Sequence, residues 1–150
     1  MDTPVLIIDR SKIVGNYRDI KNSFPDFHVA YAMKSNSHDS VLKLLLKENA
    51  DIETASIHEI QQLINLGVAP DKIIFSNPIK PDSAIRSAVE LGVNIMSCDS
   101  ISELKKFIPY KEFIKPVVRI DVPNEGSLWM LNGKFGCPRR VWPEIFKFMQ

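Results

Sequence analysis

An apolar run ends at a lysine in the segment Phe27-His28-Val29-Ala30-Tyr31-Ala32-Met33-Lys34-Ser35-Asn36. Runs of this kind are typical of strands that are buried in a parallel sheet. Lysine is seldom buried without a partner, and α/β proteins build their active sites at the carboxyl ends of their strands. Lys34 is therefore either one half of a structural ion pair or a nucleophilic amine held in a pocket.

Four more apolar runs follow the first at a nearly constant spacing. The five runs cover residues 28–33, 52–55, 73–75, 93–96 and 117–120. Each run ends at a polar residue, and these polar residues recur about every 22 positions. They are Lys34, Ser56, Asn77, Asp99 and Asp121. One strand, one helix and two short loops fill such a repeat, so the pattern predicts successive βα units and a parallel sheet.

Helix signals occupy the segments between the predicted strands. Apolar residues recur there at the spacing i, i+3, i+4, and Gly67 and Gly92 end two of the segments. Ser56-Ile57-His58-Glu59 and Ser100-Ile101-Ser102-Glu103 match the capping box Ser-x-x-Glu at the start of a helix. Because each helix begins directly after a strand, we expect the polar strand ends and the helix starts to share one edge of the sheet.

The fold class predicted from this repeat is α/β, as the incomplete N-terminal portion of a (β/α)8 TIM barrel. An open doubly wound sheet would be complete with five strands, whereas a barrel needs eight units and about 250 residues. Residues 1–26 are read as a strand over 3–9 and a helix over 11–24 that lead into the barrel. Residues 27–150 hold about five βα units, and we expect the remaining strands to lie in a larger protein or in another chain. The last predicted helix carries Val141, Ile145, Phe146 and Met149.

Charge and composition argue against several kinds of partner. The 150 residues include 19 Lys and Arg against 18 Asp and Glu, a net charge of +1, which disfavours nucleic acid and anionic membranes. No segment approaches the ~20 apolar residues of a membrane span, and the first residues do not form a signal peptide. Cys98 and Cys137 form no Cys-x-x-Cys pair and, with three scattered histidines, no zinc pattern. We expect a cytoplasmic protein with reduced thiols and no metal.

The chemistry available to Lys34 depends on its surroundings. In a pocket of low dielectric constant the ammonium form is disfavoured and the free amine becomes available. Such an amine forms a Schiff base with an aldehyde, and pyridoxal phosphate is the usual partner of this kind. The structural alternative is that Lys34 pairs with Glu53 or Asp99 and only stabilises the barrel. The residues taken alone leave both readings open.

Six short segments, taken in order, resemble the motifs of one enzyme family. They are Tyr31-Ala32-Met33-Lys34-Ser35-Asn36, Glu53-Thr54-Ala55-Ser56-Ile57-His58-Glu59-Ile60, Lys72-Ile73-Ile74-Phe75-Ser76-Asn77-Pro78-Ile79-Lys80, Cys98-Asp99-Ser100-Ile101-Ser102-Glu103-Leu104, Arg119-Ile120 and Lys134-Phe135-Gly136. Together they are similar to the pyridoxal-phosphate-dependent decarboxylases with alanine-racemase-like barrels, the family of ornithine and diaminopimelate decarboxylases. The Asn-Pro-x-Lys form of the third segment resembles the ornithine decarboxylase branch more closely.

The resemblance implies a cofactor, a reaction and a set of site residues. Lys34 would bind pyridoxal 5'-phosphate covalently, and Ala32 would line the pocket beneath it. Glu53 and Glu59 would lie near the lysine and help to set its charge, and Arg119 would lie close to the cofactor. The reaction would be decarboxylation of a basic amino acid of the ornithine, lysine or diaminopimelate class to an amine. A C-terminal β-domain and a homodimer would complete the enzyme.

Simpler local roles compete with these assignments. Glu59 also completes a capping box. Arg119 has Asp121 and Glu53 as candidate ion-pair partners. Asp99 lies at the same rim as Lys34 but precedes the second capping box, so a structural role suits it better.

The chain also departs from the family pattern. Glu53 occupies a position where the family usually has Asp, and one extra methylene shifts a carboxylate by about an ångström at a site that depends on positioning. The family's ring-stacking histidine follows the Lys-Phe-Gly mark, whereas no histidine follows His58. No glycine-rich phosphate loop occurs either, so we expect the isolated segment to be inactive.

Two alternatives to a decarboxylase remain at this level. One is a non-catalytic homologue that uses the barrel to bind or regulate a partner. The other is a pyridoxal-phosphate-dependent amino-acid racemase with the same barrel, against which the Asn-Pro-x-Lys and Lys-Phe-Gly marks count.

Overall fold

The computed structural model describes residues 4–5, 7–122, 126, 128 and 134–149. The strands are β1 (Ala30–Ala32), β2 (Asp51–Thr54), β3 (Ile73–Phe75), β4 (Ile95–Cys98) and β5 (Lys115–Val118). The helices are α1 (Arg10–Ser23), α2 (Asp39–Lys47), α3 (Ile57–Asn65), α4 (Asp82–Glu90), α5 (Ile101–Phe107) and α6 (Trp142–Phe148). Short 3-10 turns lie at Met33–Ser35, Pro70–Lys72, Ile108–Tyr110 and Arg139–Val141.

The five strands form one parallel sheet in the order β1-β2-β3-β4-β5. Connections between neighbouring parallel strands are right-handed, so strands that follow one another in this way place their helices on the same face. A doubly wound sheet reverses its order at a switch point and carries helices on both faces. The consecutive order therefore excludes the doubly wound alternative and confirms the predicted fold class, the N-terminal βα units of a (β/α)8 barrel.

The core lies between the sheet and its helices. Side chains alternate along a strand, and in β2, β3 and β4 those on the helix side are buried. The buried strand residues are Ile52, Thr54, Ile73, Phe75, Met96 and Cys98, and their helix neighbours include Ile60, Leu63, Ile85, Ala88 and Leu104. The opposite face, called the inner face below, carries Ala32, Glu53, Ile74, Ile95 and Val117, none of which is buried.

The predicted spacing of the strands is confirmed, but several of their ends differ. Four strands occupy 30–32 in place of 28–33, 51–54 in place of 52–55, 95–98 in place of 93–96, and 115–118 in place of 117–120. Val93 is buried in the core although it precedes β4, and Ile120 pairs only in an isolated bridge with Cys137. An apolar run reports burial rather than hydrogen-bonded pairing, so it cannot locate a strand end.

The N-terminal segment differs from the prediction in one respect. The predicted helix over 11–24 is confirmed as α1, but the predicted strand over 3–9 is wrong for the residues described there, 4–5 and 7–9, which form no strand; Thr3 and Leu6 lie outside the described residues. Asp9 instead caps α1, because its Oδ1 accepts from the backbone N–H of Ser11 at 2.9 Å and of Lys12 at 3.3 Å. In the apolar run that suggested a strand, Val5, Ile7 and Ile8 are exposed.

None of the helices in the described part of the chain combines the length and the apolar character needed to cross a bilayer.

Candidate active site

Lys34 lies in the 3-10 turn that directly follows β1, at the carboxyl edge of the sheet. Met33 beside it is fully buried and anchors the turn, whereas the Lys34 side chain is exposed. The Lys34 Nζ makes no hydrogen bond or ion pair with the residues that the structure describes. The described residues therefore leave the Lys34 amino group without a partner, but they do not enclose it in the expected pocket of low dielectric constant.

The structural alternative for Lys34, an ion pair with Glu53 or Asp99, is wrong. Glu53 Oε1 accepts a hydrogen bond from Ser76 Oγ at 2.6 Å, and Asp99 Oδ2 accepts from the backbone N–H of Gly136 at 3.2 Å. Each carboxylate is thus bonded to a group other than the lysine.

The turn that carries Lys34 is fastened by side chains that the sequence did not single out. Tyr31 Oη donates to the carbonyl of Asn36 at 3.1 Å, and Ser35 Oγ donates to the carbonyl of Ala32 at 2.7 Å. From α3, Gln62 Nε2 donates to Ser37 O at 2.9 Å and to Asp39 Oδ1 at 2.9 Å. These bonds restrain the backbone on both sides of the lysine, and no sequence motif indicated the contribution from α3.

Ala32 and Glu53 are neighbours on the inner face. They are partners in the register of β1 and β2, and side chains of register partners point to the same face of a sheet. Tyr31 packs on the helix side, so Ala32, next along the strand, faces inward. The small Ala32 side chain leaves space on the inner face two residues before Lys34.

Glu59 serves as a cap at the start of α3. Ser56 Oγ accepts from the Glu59 N–H at 3.3 Å, and Glu59 Oε2 accepts from the backbone N–H of Ala55. The carboxylate therefore closes the junction between β2 and α3 in the manner of a capping box, displaced by one residue. Its geometry supports the capping role, and no contact in the described residues joins it to Lys34.

Arg119 directly follows β5, and its N–H donates to Cys98 O at 2.8 Å. Its Cζ lies 5.2 Å from the centroid of the Phe135 ring, a cation–π contact. No ion pair with Asp121 or Glu53 occurs among the described residues, so that structural alternative is wrong. The exposed guanidinium stands at the same edge as Lys34.

Lys80 is a buried lysine near this edge for which the sequence predicted no role. Lys80 is 1% exposed, and its Nζ donates to Asn77 O at 2.9 Å, contacts Ser97 O and pairs with Glu103 Oε1 at 2.9 Å. Burial lowers the pKa of Lys80, and the hydrogen bond that its Nζ donates to Glu103 opposes that shift. Lys80 thus ties the loop after β3 to β4 and α5.

The second capping box is only half formed. Ser100 Oγ accepts from the Glu103 N–H at 3.3 Å, as predicted. The Glu103 carboxylate, however, bonds to the backbone N–H of Lys80 at 3.0 Å and to Lys106 Nζ at 2.6 Å. The sequence motif did not reveal that the Glu103 carboxylate would pair with the buried Lys80.

The two cysteines are buried and unpaired. Burial raises the pKa of the Cys98 thiol to about 11 and also raises that of Cys137. Because thiolates are the nucleophilic form, neither group is an activated nucleophile at neutral pH. Among the described residues no three His, Cys, Asp or Glu side chains come together as a candidate metal site.

A family model described as the pyridoxal binding domain of pyridoxal-dependent decarboxylases matches residues 10–147. The chain belongs to this family. The match confirms the resemblance drawn from the six motifs, and pyridoxal phosphate is the cofactor of the family.

Similar proteins carry related names. The chain is 33% identical over 148 residues to a lysine/ornithine decarboxylase of Selenomonas ruminantium, covering 99% of this chain and 38% of that protein. It is 33% identical over 132 residues to antizyme inhibitor 2 of Xenopus laevis, covering 88% of this chain and 29% of that protein. The crystal structure of a Vibrio vulnificus lysine/ornithine decarboxylase complexed with cadaverine matches with a TM-score of 0.85 at 32% identity, over 97% of this chain and 38% of the other. The chain spans roughly a third of the length of these relatives.

The residues of the pyridoxal-binding domain suit this cofactor at its aldehyde end. Covalent attachment needs an accessible primary amine without an ion-pair partner, and among the described residues Lys34 offers one. Ala32 leaves space beside it, and the exposed Arg119 supplies positive charge at the same edge. The sequence has no glycine-rich loop, so these residues account for attachment but not for the cofactor's phosphate.

Proposed function

We propose that this chain is the cofactor-attaching part of a pyridoxal-phosphate-dependent decarboxylase that acts on a basic amino acid of the ornithine, lysine or diaminopimelate class. The observation that carries the proposal is the unpaired amine of Lys34 at the carboxyl edge of the sheet. The names of the similar decarboxylases support the substrate class.

Each predicted site residue has a part in this function. Bound pyridoxal phosphate supplies an electron sink for the electron pair that is left when carbon dioxide departs. Lys34 Nζ holds the cofactor and, when released, can hold a proton beside the reacting carbon. Ala32 leaves room, and Glu53 and Arg119 supply opposite charges on the same face. Glu59 acts indirectly by holding the start of α3 against the end of β2.

The rest of the barrel has to come from elsewhere in this proposal. Residues 1–26 lead into the sheet, residues 27–150 supply five βα units, and the further units and a C-terminal β-domain lie beyond them or in another chain. The share of the relatives that the chain covers supports this. So does the inner face of the sheet, where Val117 is 47% exposed. We expect a homodimeric enzyme and an inactive isolated segment.

We also place the protein in the cytoplasm. Its two cysteines are unpaired and buried, which suits a reducing compartment.

The proposal is tested by locating the cofactor. Full-length protein is incubated with pyridoxal phosphate, reduced with borohydride and digested, and the modified lysine is identified by mass spectrometry. We expect the pyridoxyl group on Lys34. Lys34→Ala should lose it and lower the rate of carbon dioxide release by about two to four orders of magnitude.

Lys43, exposed on α2, provides the matched control, since Lys43→Ala should keep both the label and the rate. A pyridoxyl group on another lysine, or full activity of Lys34→Ala, would contradict the proposal.

A second candidate function is a non-catalytic regulator. The similarity to antizyme inhibitor 2, a protein named for inhibition rather than for a reaction, favours it. The same experiment separates the two, because a regulator would fold but release no carbon dioxide from ornithine, lysine or diaminopimelate.

A further inference from the structure

The hydroxyl of Ser76 has one proton and two nearby acceptors. Glu53 Oε1 lies 2.6 Å away and the carbonyl of Thr54 lies 3.1 Å away. The Thr54 carbonyl already receives the Ser76 N–H at 2.8 Å, and an ionised carboxylate is the stronger acceptor. The hydroxyl proton of Ser76 therefore goes to Glu53.

The hydrogen bond from Ser76 orients the Glu53 carboxylate. Glu53 lies on β2, which has β1 on one side and β3 on the other. Ser76 follows β3 and Lys34 follows β1, so the bond to Ser76 turns the carboxylate away from the lysine. Neighbouring strands are only about 4.8 Å apart, and a glutamate side chain is long enough to turn towards either side.

Four other charged groups around this edge are bonded elsewhere. They lie at the start of α2, at the start of α3, after β4 and after β5. The four groups and their partners are Asp39 with Gln62, Glu59 with the Ala55 N–H, Asp99 with the Gly136 N–H, and Arg119 with the Phe135 ring. Glu53, on the strand next to β1, is the carboxylate that can turn towards Lys34.

We propose that Ser76 is a positioning residue that holds Glu53 towards β3 and so keeps the Lys34 amine free for the cofactor. The proposal rests on the proposed function of Lys34. The family usually has the shorter aspartate at the position of Glu53. In this chain Ser76 is the hydrogen-bond partner of the longer side chain.

The test measures the reactivity of Lys34 without cofactor or substrate. Full-length apoprotein receives brief pulses of acetic anhydride over a range of pH, and acetylation of Lys34 is followed by peptide-resolved mass spectrometry. In Ser76→Ala the released carboxylate can pair with Lys34 and favour its unreactive ammonium form. We expect the pH midpoint of labelling to rise by about 0.5–1 unit, which slows labelling roughly three- to tenfold at a fixed pH below the midpoint.

Three variants serve as controls. Ser97→Ala makes the same change at the end of the next strand, where the hydroxyl contacts no carboxylate among the described residues, and should leave the midpoint in place. Ser76→Thr keeps a hydroxyl and should restore it. Adding Glu53→Gln to Ser76→Ala removes the charge and should abolish the rise.

An unchanged midpoint in folded Ser76→Ala, or a rise that persists with Glu53→Gln, would overturn the proposal. If Ser76→Ala does not fold, the nearly isosteric Ser76→Cys, a weak donor, is measured with the same criteria. Failure of the proposed function looks different: the midpoint moves, but the borohydride experiment finds no pyridoxyl group on Lys34.

Discussion

Lys34 is unpaired among the described residues, and the two carboxylates considered as its partners are bonded elsewhere. Glu53 is held by Ser76 and Asp99 by the Gly136 N–H. A lysine in a catalytic role needs this condition, since a paired ammonium is a poor nucleophile. The availability of the amine is therefore a property of its neighbours and not of the lysine itself.

Cys98 should make stability fall at alkaline pH. Burial raises the pKa of its thiol to about 11 from the ordinary value of 9.0, so between these values the unfolded chain loses a proton that the folded chain keeps. Stability then falls as the pH rises through this window. Urea unfolding at about pH 8 and about pH 10.5 should show wild type losing roughly 1–2 kcal/mol more than Cys98→Ala. Equal losses would contradict the assignment.

At the scale of elements, the two capping boxes show what a local motif can predict. Both serines cap their helices as predicted. The two glutamates differ, because Glu59 returns to the junction before α3 whereas Glu103 pairs with the buried Lys80. A buried ammonium must have a partner, and its position depends on how β3, β4 and α5 pack. The motif therefore predicted the helix starts but only one of the two carboxylate contacts.

Removing the Lys80 ammonium should loosen this junction. Lys80→Met leaves Glu103 buried with Lys106 as its remaining cation, and we expect the free energy of unfolding in urea to drop by about 2–4 kcal/mol. Lys105→Met, exposed on α5, should change it by less than about 0.5 kcal/mol. The double variant Lys80→Met with Glu103→Leu should recover part of the loss. If Lys80→Met had the free energy of unfolding of wild type, the ion pair would not contribute to stability.

For the molecule as a whole, the segment around Gly136 packs against the residues that follow β5. Ile120 bridges to Cys137, and Gly136 adopts a φ of +111° with its missing Cβ only 2.8 Å from the backbone nitrogen of Asp121. Only glycine permits so close an approach in this conformation. The segment is thereby held against the edge that carries Arg119.

Gly136→Ala should push this segment away from the sheet edge. We expect it to lower the free energy of unfolding by about 1–3 kcal/mol, measured by urea denaturation. Gly15→Ala is the matched control, because Gly15 lies inside α1 with no atom near its missing Cβ, and it should raise stability by about 0.5–1 kcal/mol. A destabilised Gly15→Ala together with an unaffected Gly136→Ala would reverse the assignment.

The sequence by itself determined the number and order of the βα units, the class of the sheet and the position of Lys34 at its edge. These follow from periodicity and from local signals, which are properties of neighbouring residues in the chain. Only the tertiary structure decided that Lys34 has no partner in the described part of the chain, that Ser76 holds Glu53 and that Lys80 is buried with Glu103. Such contacts join residues about 20 or more positions apart, and they exist only once the strands lie side by side.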